Sequence, residues 1–191
     1  MTTIHKSFLV SLAAFLGINV IFQLIGAALT GGFETLGSDP FIIVAWLFQG
    51  IVENLASVIG GLLLAGFGLI SGGDFITTMA QLLVILGFLL APVIATILAG
   101  YVAESKTDAL GGWFLTIVIC LIVWTIFYVV DLGAAALGFG NAGKNLGSVY
   151  LNTDPTALTA LWQIILVGIG SLVTVFSYGF LALAAQREAF Y

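Results

Sequence analysis

FITTMAQLLVILGFLLAPVIATILAGYVA, from Phe75 to Ala103, contains no charged side chain. About 20 predominantly apolar residues cross a hydrocarbon core of roughly 30 Å as a helix, and this run exceeds that length. Comparable runs lie at about Ser7–Thr30, Phe41–Ile70, Leu110–Gly138 and Ala157–Ala185. Unpaired peptide groups are costly in lipid, so a spanning backbone is either helical or part of a closed barrel. These runs are continuous and do not alternate with period two as barrel strands do. The expected fold is an all-α, polytopic transmembrane bundle of about five hydrophobic helices, forming a single integral membrane domain over residues 1–191.

Composition agrees with this reading. The 191 residues are 61% hydrophobic and 7% charged, with a mean hydropathy of +1.24, whereas soluble domains carry roughly a quarter charged residues. Turn chemistry separates the runs: Gly31-Gly32, Ser38-Asp39-Pro40, Gly72-Gly73-Asp74, Glu104 to Asp108, and Asn152 to Pro155. Asp39-Pro40 and Asp154-Pro155 also read as helix starts, with Asp near the cap and Pro in the first turn. The first run follows Lys6 and is longer than a signal-peptide core, so it is expected to be a retained anchor. Pro92 predicts a kink in the third run, because it removes one backbone donor.

The second run is ambiguous. Gly50, Glu53-Asn54 and Gly60-Gly61 interrupt it, so it reads either as one long tilted helix or as a broken, re-entrant element. Five simple crossings are the first expectation, and they divide the four Lys and Arg residues evenly between the two faces. The re-entrant arrangement instead gathers Lys6, Lys106 and Arg187 on one side and leaves Lys144 on the other, which suits the positive-inside rule better.

Glu53 is the leading candidate for chemistry, since an ionised side chain at the centre of a spanning segment costs about 2.5–3.5 kcal/mol or more. Gln49, Glu53, Ser57 and Gly60 follow one another at helical spacing, with Asn54 beside them. Asp131 closes a segment rich in aromatics, including Trp113, Trp124 and Tyr128. It reads as a carboxylate at headgroup depth beside an aromatic belt, or as a second carboxylate of the Glu53 site. Together Glu53, Gln49, Asn54 and Asp131 form a candidate ion or polar-substrate site, against the plainer reading that they tie helices together.

Ala91, Ala95, Ala99 and Ala103 recur every fourth residue and predict a face of close helix packing. Asn19, Gln23 and Gly26 share a face of the first run, and Gln163, Ser171 and Thr174 lie on the last; they read as interhelical hydrogen-bonding groups. Cys120 is the one cysteine, His5 is the one histidine, and neither has a ligand set nearby in the sequence. No nucleotide-binding loop, zinc motif or nucleophile triad is present, and no metal or other cofactor is expected. Four basic residues against nine acidic ones make no surface for nucleic acid.

The leading functional expectation is a non-enzymatic integral membrane subunit packed within a larger assembly, in contact with lipid and with other membrane subunits or copies of itself. The alternative is a small transporter or channel with a polar site around Glu53. A lipid-modifying enzyme would have only Glu53 and Asp131 to work with. The expected location is the cell membrane, as a multi-pass protein.

Overall fold

The computed structural model describes residues 3–31, 41–52, 55–136 and 157–186. It contains six helices: α1 (Thr3–Thr30), α2 (Phe41–Val52), α3 (Leu55–Ile70), α4 (Phe75–Val102), α5 (Lys106–Ala136) and α6 (Ala157–Ala185), and no strand among the described residues. Four helical stretches, Thr3–Thr30, Phe75–Val102, Lys106–Val130 and Leu161–Ala185, are long and apolar enough to cross a membrane. The surface suits lipid: Leu64, Phe67, Ile70 and Phe176 are among the most exposed side chains. Hydroxyls and amides such as Ser7, Ser11, Asn19, Thr96 and Thr116 are buried instead. In hydrocarbon this distribution is favourable, because interior polar groups can hydrogen-bond one another while the outer face meets acyl chains.

Helix ends follow the local sequence. α3 stops at a Schellman turn, in which Gly72 takes φ +82° and the Gly73 N–H donates to the Gly68 carbonyl at 2.9 Å; only glycine adopts this backbone without strain. Asp74 then caps α4, accepting hydrogen bonds from the Thr77 N–H at 3.0 Å and from the Thr77 hydroxyl. These two bonds, the hydroxyl's first, hold the Asp74 carboxyl below its usual range. Ser105 caps the start of α5, its Oγ accepting from the Asp108 N–H (3.0 Å) and donating to the Asp108 carboxylate (2.8 Å). This cap explains why α5 begins several residues before the apolar run. α4 continues through Pro92, and the Thr96 hydroxyl bonds the Pro92 carbonyl at 2.6 Å.

Side-chain contacts give the direction of each helix. The Ser7 hydroxyl donates to the Ala99 carbonyl at 2.9 Å, and Phe22 lies against Gly87, so α1 and α4 are antiparallel. The Thr3 hydroxyl donates to Asp108 at 2.5 Å, and the Ser11 and Thr116 hydroxyls share a hydrogen bond, so α1 and α5 are parallel. The Trp113 N–H reaches the Val175 carbonyl (3.3 Å) and the Tyr128 hydroxyl reaches Gln163 (2.7 Å), which sets α6 antiparallel to α5. Thr30 and Phe75 therefore lie at the same end of the bundle. Five successive crossings would have made α4 parallel to α1, so residues 41–70 enter and leave on one side.

α2 and α3 are the two arms of that excursion. Gly50 of α2 meets Asn19 of α1, while Trp46, a turn earlier, borders a cleft with Gln23 and Thr30, so α2 descends against α1. Gly61 faces Ile85 and Gly68 faces Thr78, so α3 climbs back along α4. Extending these registers brings Leu55 level with Ala91, and Asn19 level with Leu90. The inner ends of α2 and α3 thus share the depth of Asn19, roughly 24 Å from the start of α1 at 1.5 Å per residue.

The alanine face is packed within the chain itself. Ala91, Ala95 and Ala99 have no exposed surface, and Ala103 joins Ala109 and Ala182 in a second cluster. Ala95→Leu would force three further carbons into a filled interior, and a stability loss of about 1–3 kcal/mol is expected. Thermal unfolding in detergent measures it; an unchanged midpoint would show that the stripe has room to spare.

Candidate functional site

The interior is laid out along one face of α1, where Ser7, Ser11, Phe15 and Asn19 recur every fourth residue and are all fully buried. The first three are satisfied: Ser7 by the Ala99 carbonyl, Ser11 by Thr116, and Phe15 by an edge-to-face contact with Trp113 at 6.1 Å between ring centroids. Asn19 is different. Neither its Nδ2 nor its Oδ1 finds a hydrogen-bond partner among the described residues, although both are buried. The amide is pressed against the last turns of α2, where a Cβ on Gly50 would come within 2.5 Å of Nδ2 and 2.6 Å of Oδ1. A glycine at position 50 is therefore what lets the inner end of α2 reach α1.

A second unpartnered donor lies at the same depth. The parallel register of α1 and α5, from Thr3–Asp108 to Ser11–Thr116, continues to bring Asn19 level with Trp124. Trp124 is fully buried, and its indole N–H has no partner among the described residues. Its ring stacks on Tyr128, with centroids 5.1 Å apart and planes 6° from parallel. The Tyr128 hydroxyl in turn donates to Gln163 Oε1 at 2.7 Å. Leaving a buried polar group unpaired costs about 1–3 kcal/mol, and such groups are unusual enough in folded proteins to mark sites of function or internal hydration.

A cleft of about 590 Å³ leads along the outer half of α1. Gln23 and Thr30 of α1, Trp46 of α2, Leu64 of α3, and Gln81 and Ile85 of α4 line it. Gln23 stands one turn from Asn19 on the same face of α1. The other half of the bundle is closed by the Ser7, Ser11 and Trp113 contacts and by the approach of Gly112 to Ser7 and of Gly100 to Ala182. Neither Asn19 nor Trp124 is among the residues that line the cleft, which lies towards the α1 C-terminal end, while the contacts above seal the interior towards the α1 N-terminal end.

The residues singled out in the sequence distribute as follows. Glu53 and Asn54 lie outside the described residues, in the two positions between α2 and α3. Gln49 sits on α2 and Asp131 on α5, three residues beyond Tyr128, but their side chains are not among those described. Trp113, Trp124 and Tyr128 do not form the interfacial belt expected of them, being buried inside the bundle. Asn19 was legible only as a packing group. No cluster of three or more His, Cys, Asp or Glu occurs among the described residues. Compared with known protein families, curated proteins and solved structures, the chain matches none.

Proposed function

We propose that this membrane protein is a small transporter or channel whose solute site lies at the inner end of the α2–α3 hairpin. The observation that carries the reading is Asn19, an amide buried without a partner among the described residues, beside the inner end of the 12-residue α2. Helices that stop inside a membrane leave backbone carbonyls or N–H groups at their ends to meet a solute, and discontinuous helices recur at transporter binding sites for that reason. The competing expectation, a non-catalytic subunit of a larger assembly, drew on the small-residue faces, the short loops and the absence of a catalytic constellation in the sequence. Of these, the alanine stripe is packed against the chain's own helices and so lends the subunit reading no support.

Lys6 and Lys106 lie at the α1 N-terminal end. By the positive-inside rule that end is cytoplasmic, and the cleft then opens to the outside of the cell membrane. Reconstitution into proteoliposomes tests the transport reading. Protein-dependent passage of a small ion or a neutral solute down an imposed gradient is expected; liposomes that remain as tight as empty ones to both classes overturn it.

A further inference from the structure

Independently of the transport reading, we infer that the groove between α5 and α6 seats one anionic phospholipid, its phosphate at Lys106 and Thr107 and an acyl chain along Phe114, Phe176 and Phe180. The groove is lined by residues of these two helices and has a volume of about 750 Å³, within the roughly 300–1,000 Å³ typical of small-molecule sites. Gly179 forms part of its floor. A Cβ at Gly179 would come within 2.9 Å of Leu110 Cδ1, so the bare backbone lets the two helices close together and leaves the phenylalanines standing on either side. Phe176 and Phe180 are one turn apart on α6, Phe114 lies across the groove on α5, and all three are exposed on the lipid-facing surface.

The two ends of the groove differ in chemistry. Lys106 and Thr107, the first two residues of α5, border one end, and Phe114 and Phe176 border the other. Eight residues of helix separate Lys106 from Phe114, about 12 Å at 1.5 Å per residue, close to half of a hydrocarbon core of roughly 30 Å. A phospholipid has the same layout, with charge at the membrane surface and its chain confined to one leaflet. A helix from a second copy would cross both leaflets, and a groove that starts at a cation and ends near the midplane does not match it. The Lys106 ammonium has three N–H donors, so a bond within the protein still leaves others for phosphate oxygens. The start of a long helix favours an anion as well, through its oriented N–H groups. Asp108, the acid of that first turn, is taken up by the Thr3 and Ser105 hydroxyls and does not line the groove. By the positive-inside orientation this end is cytoplasmic, and anionic lipids give that leaflet its negative surface potential.

Lipid retention in detergent tests the inference. The protein is exchanged into a sugar detergent containing equal amounts of dioleoyl phosphatidylglycerol and dioleoyl phosphatidylcholine, passed through a sizing column, and its retained lipids are quantified per chain by mass spectrometry. Wild-type protein is expected to prefer phosphatidylglycerol about five-fold, the effect of one lysine at an anionic surface. Lys106→Gln should abolish that preference, and Lys106→Arg should keep it. Raising the salt to about 1 M, where the Debye length is about 3 Å, should abolish it in the unaltered protein. Phe176→Ala combined with Phe180→Ala should lower retention of both lipids several-fold. Folding of each variant is checked independently through Cys120, the one cysteine, which is fully buried and should resist a maleimide until the protein unfolds. Equal retention of the two lipids by wild type overturns the inference, as does a preference that survives in 1 M salt or in a folded Lys106→Gln. Retention that the double alanine variant leaves unchanged puts the lipid elsewhere and also overturns it. A dimer that elutes without lipid shows a second copy in the groove and overturns it too. None of these outcomes bears on solute flux, which tests the transport reading separately.

Discussion

Asn19→Leu is expected to make the protein more stable and less active. Leucine branches at Cγ as asparagine does but is the larger side chain, so its two methyl groups press against Gly50 and offset part of the gain. The greater change is in polarity. The asparagine amide is stripped of water and receives no bond in return among the described residues, a cost of about 1–3 kcal/mol. Leucine removes that cost and adds apolar contact with the core around Phe15 and Ile51. The thermal midpoint should therefore rise, while solute flux through proteoliposomes falls to the level of empty liposomes. A gain in stability bought with activity is the signature of a polar group retained for function. If the variant is instead destabilised and its flux unchanged, Asn19 is an interhelical tie and the hairpin end is not the solute site.

The bundle was legible because membrane solvation leaves few choices: apolar runs as long as Phe75–Ala103 have to be helical. The route of the second run was not. Gly50 and Glu53-Asn54 advertised an interruption, but four cations weigh too little to decide between a tilted crossing and a re-entrant hairpin. The decision lies in pairings between distant residues, Ser7 with Ala99 and Ser11 with Thr116, which no periodicity along one segment can reveal.

The site was only partly legible for a related reason. Ser7, Ser11 and Asn19 occupy equivalent positions on one helical face, and the sequence gives no sign that two of them find partners and the third does not. Trp124 could have been read better. It stands well inside a helix of 31 residues, too far from either end for an interfacial role, so its indole N–H had to be an interior group. Glu53 drew attention through its charge, and it lies outside the described residues.

Gly100→Ala should be among the most damaging small substitutions in the chain, and Gly168→Ala among the mildest, although both add one methyl group to a spanning helix. Helix propensity alone favours alanine at either position by up to about 1 kcal/mol. The surroundings reverse that preference at Gly100. A Cβ there would lie 2.2 Å from the Ala182 carbonyl oxygen and 3.0 Å from both the Ala182 carbonyl carbon and the Ala185 Cβ. The nearest obstacle is backbone, so no rotamer change relieves it, and α4 and α6 must separate where the bundle is sealed. Overpacking of this kind costs about 1–3 kcal/mol, enough to outweigh the propensity gain. At Gly168 nothing lies within 4 Å of the added carbon, so the alanine variant should match wild type or exceed it slightly. Maleimide protection of Cys120 during a temperature ramp reads both variants on one scale. Equal midpoints for the two would mean that α4 and α6 do not approach each other at Gly100, and the sealed end of the bundle would have to be redrawn.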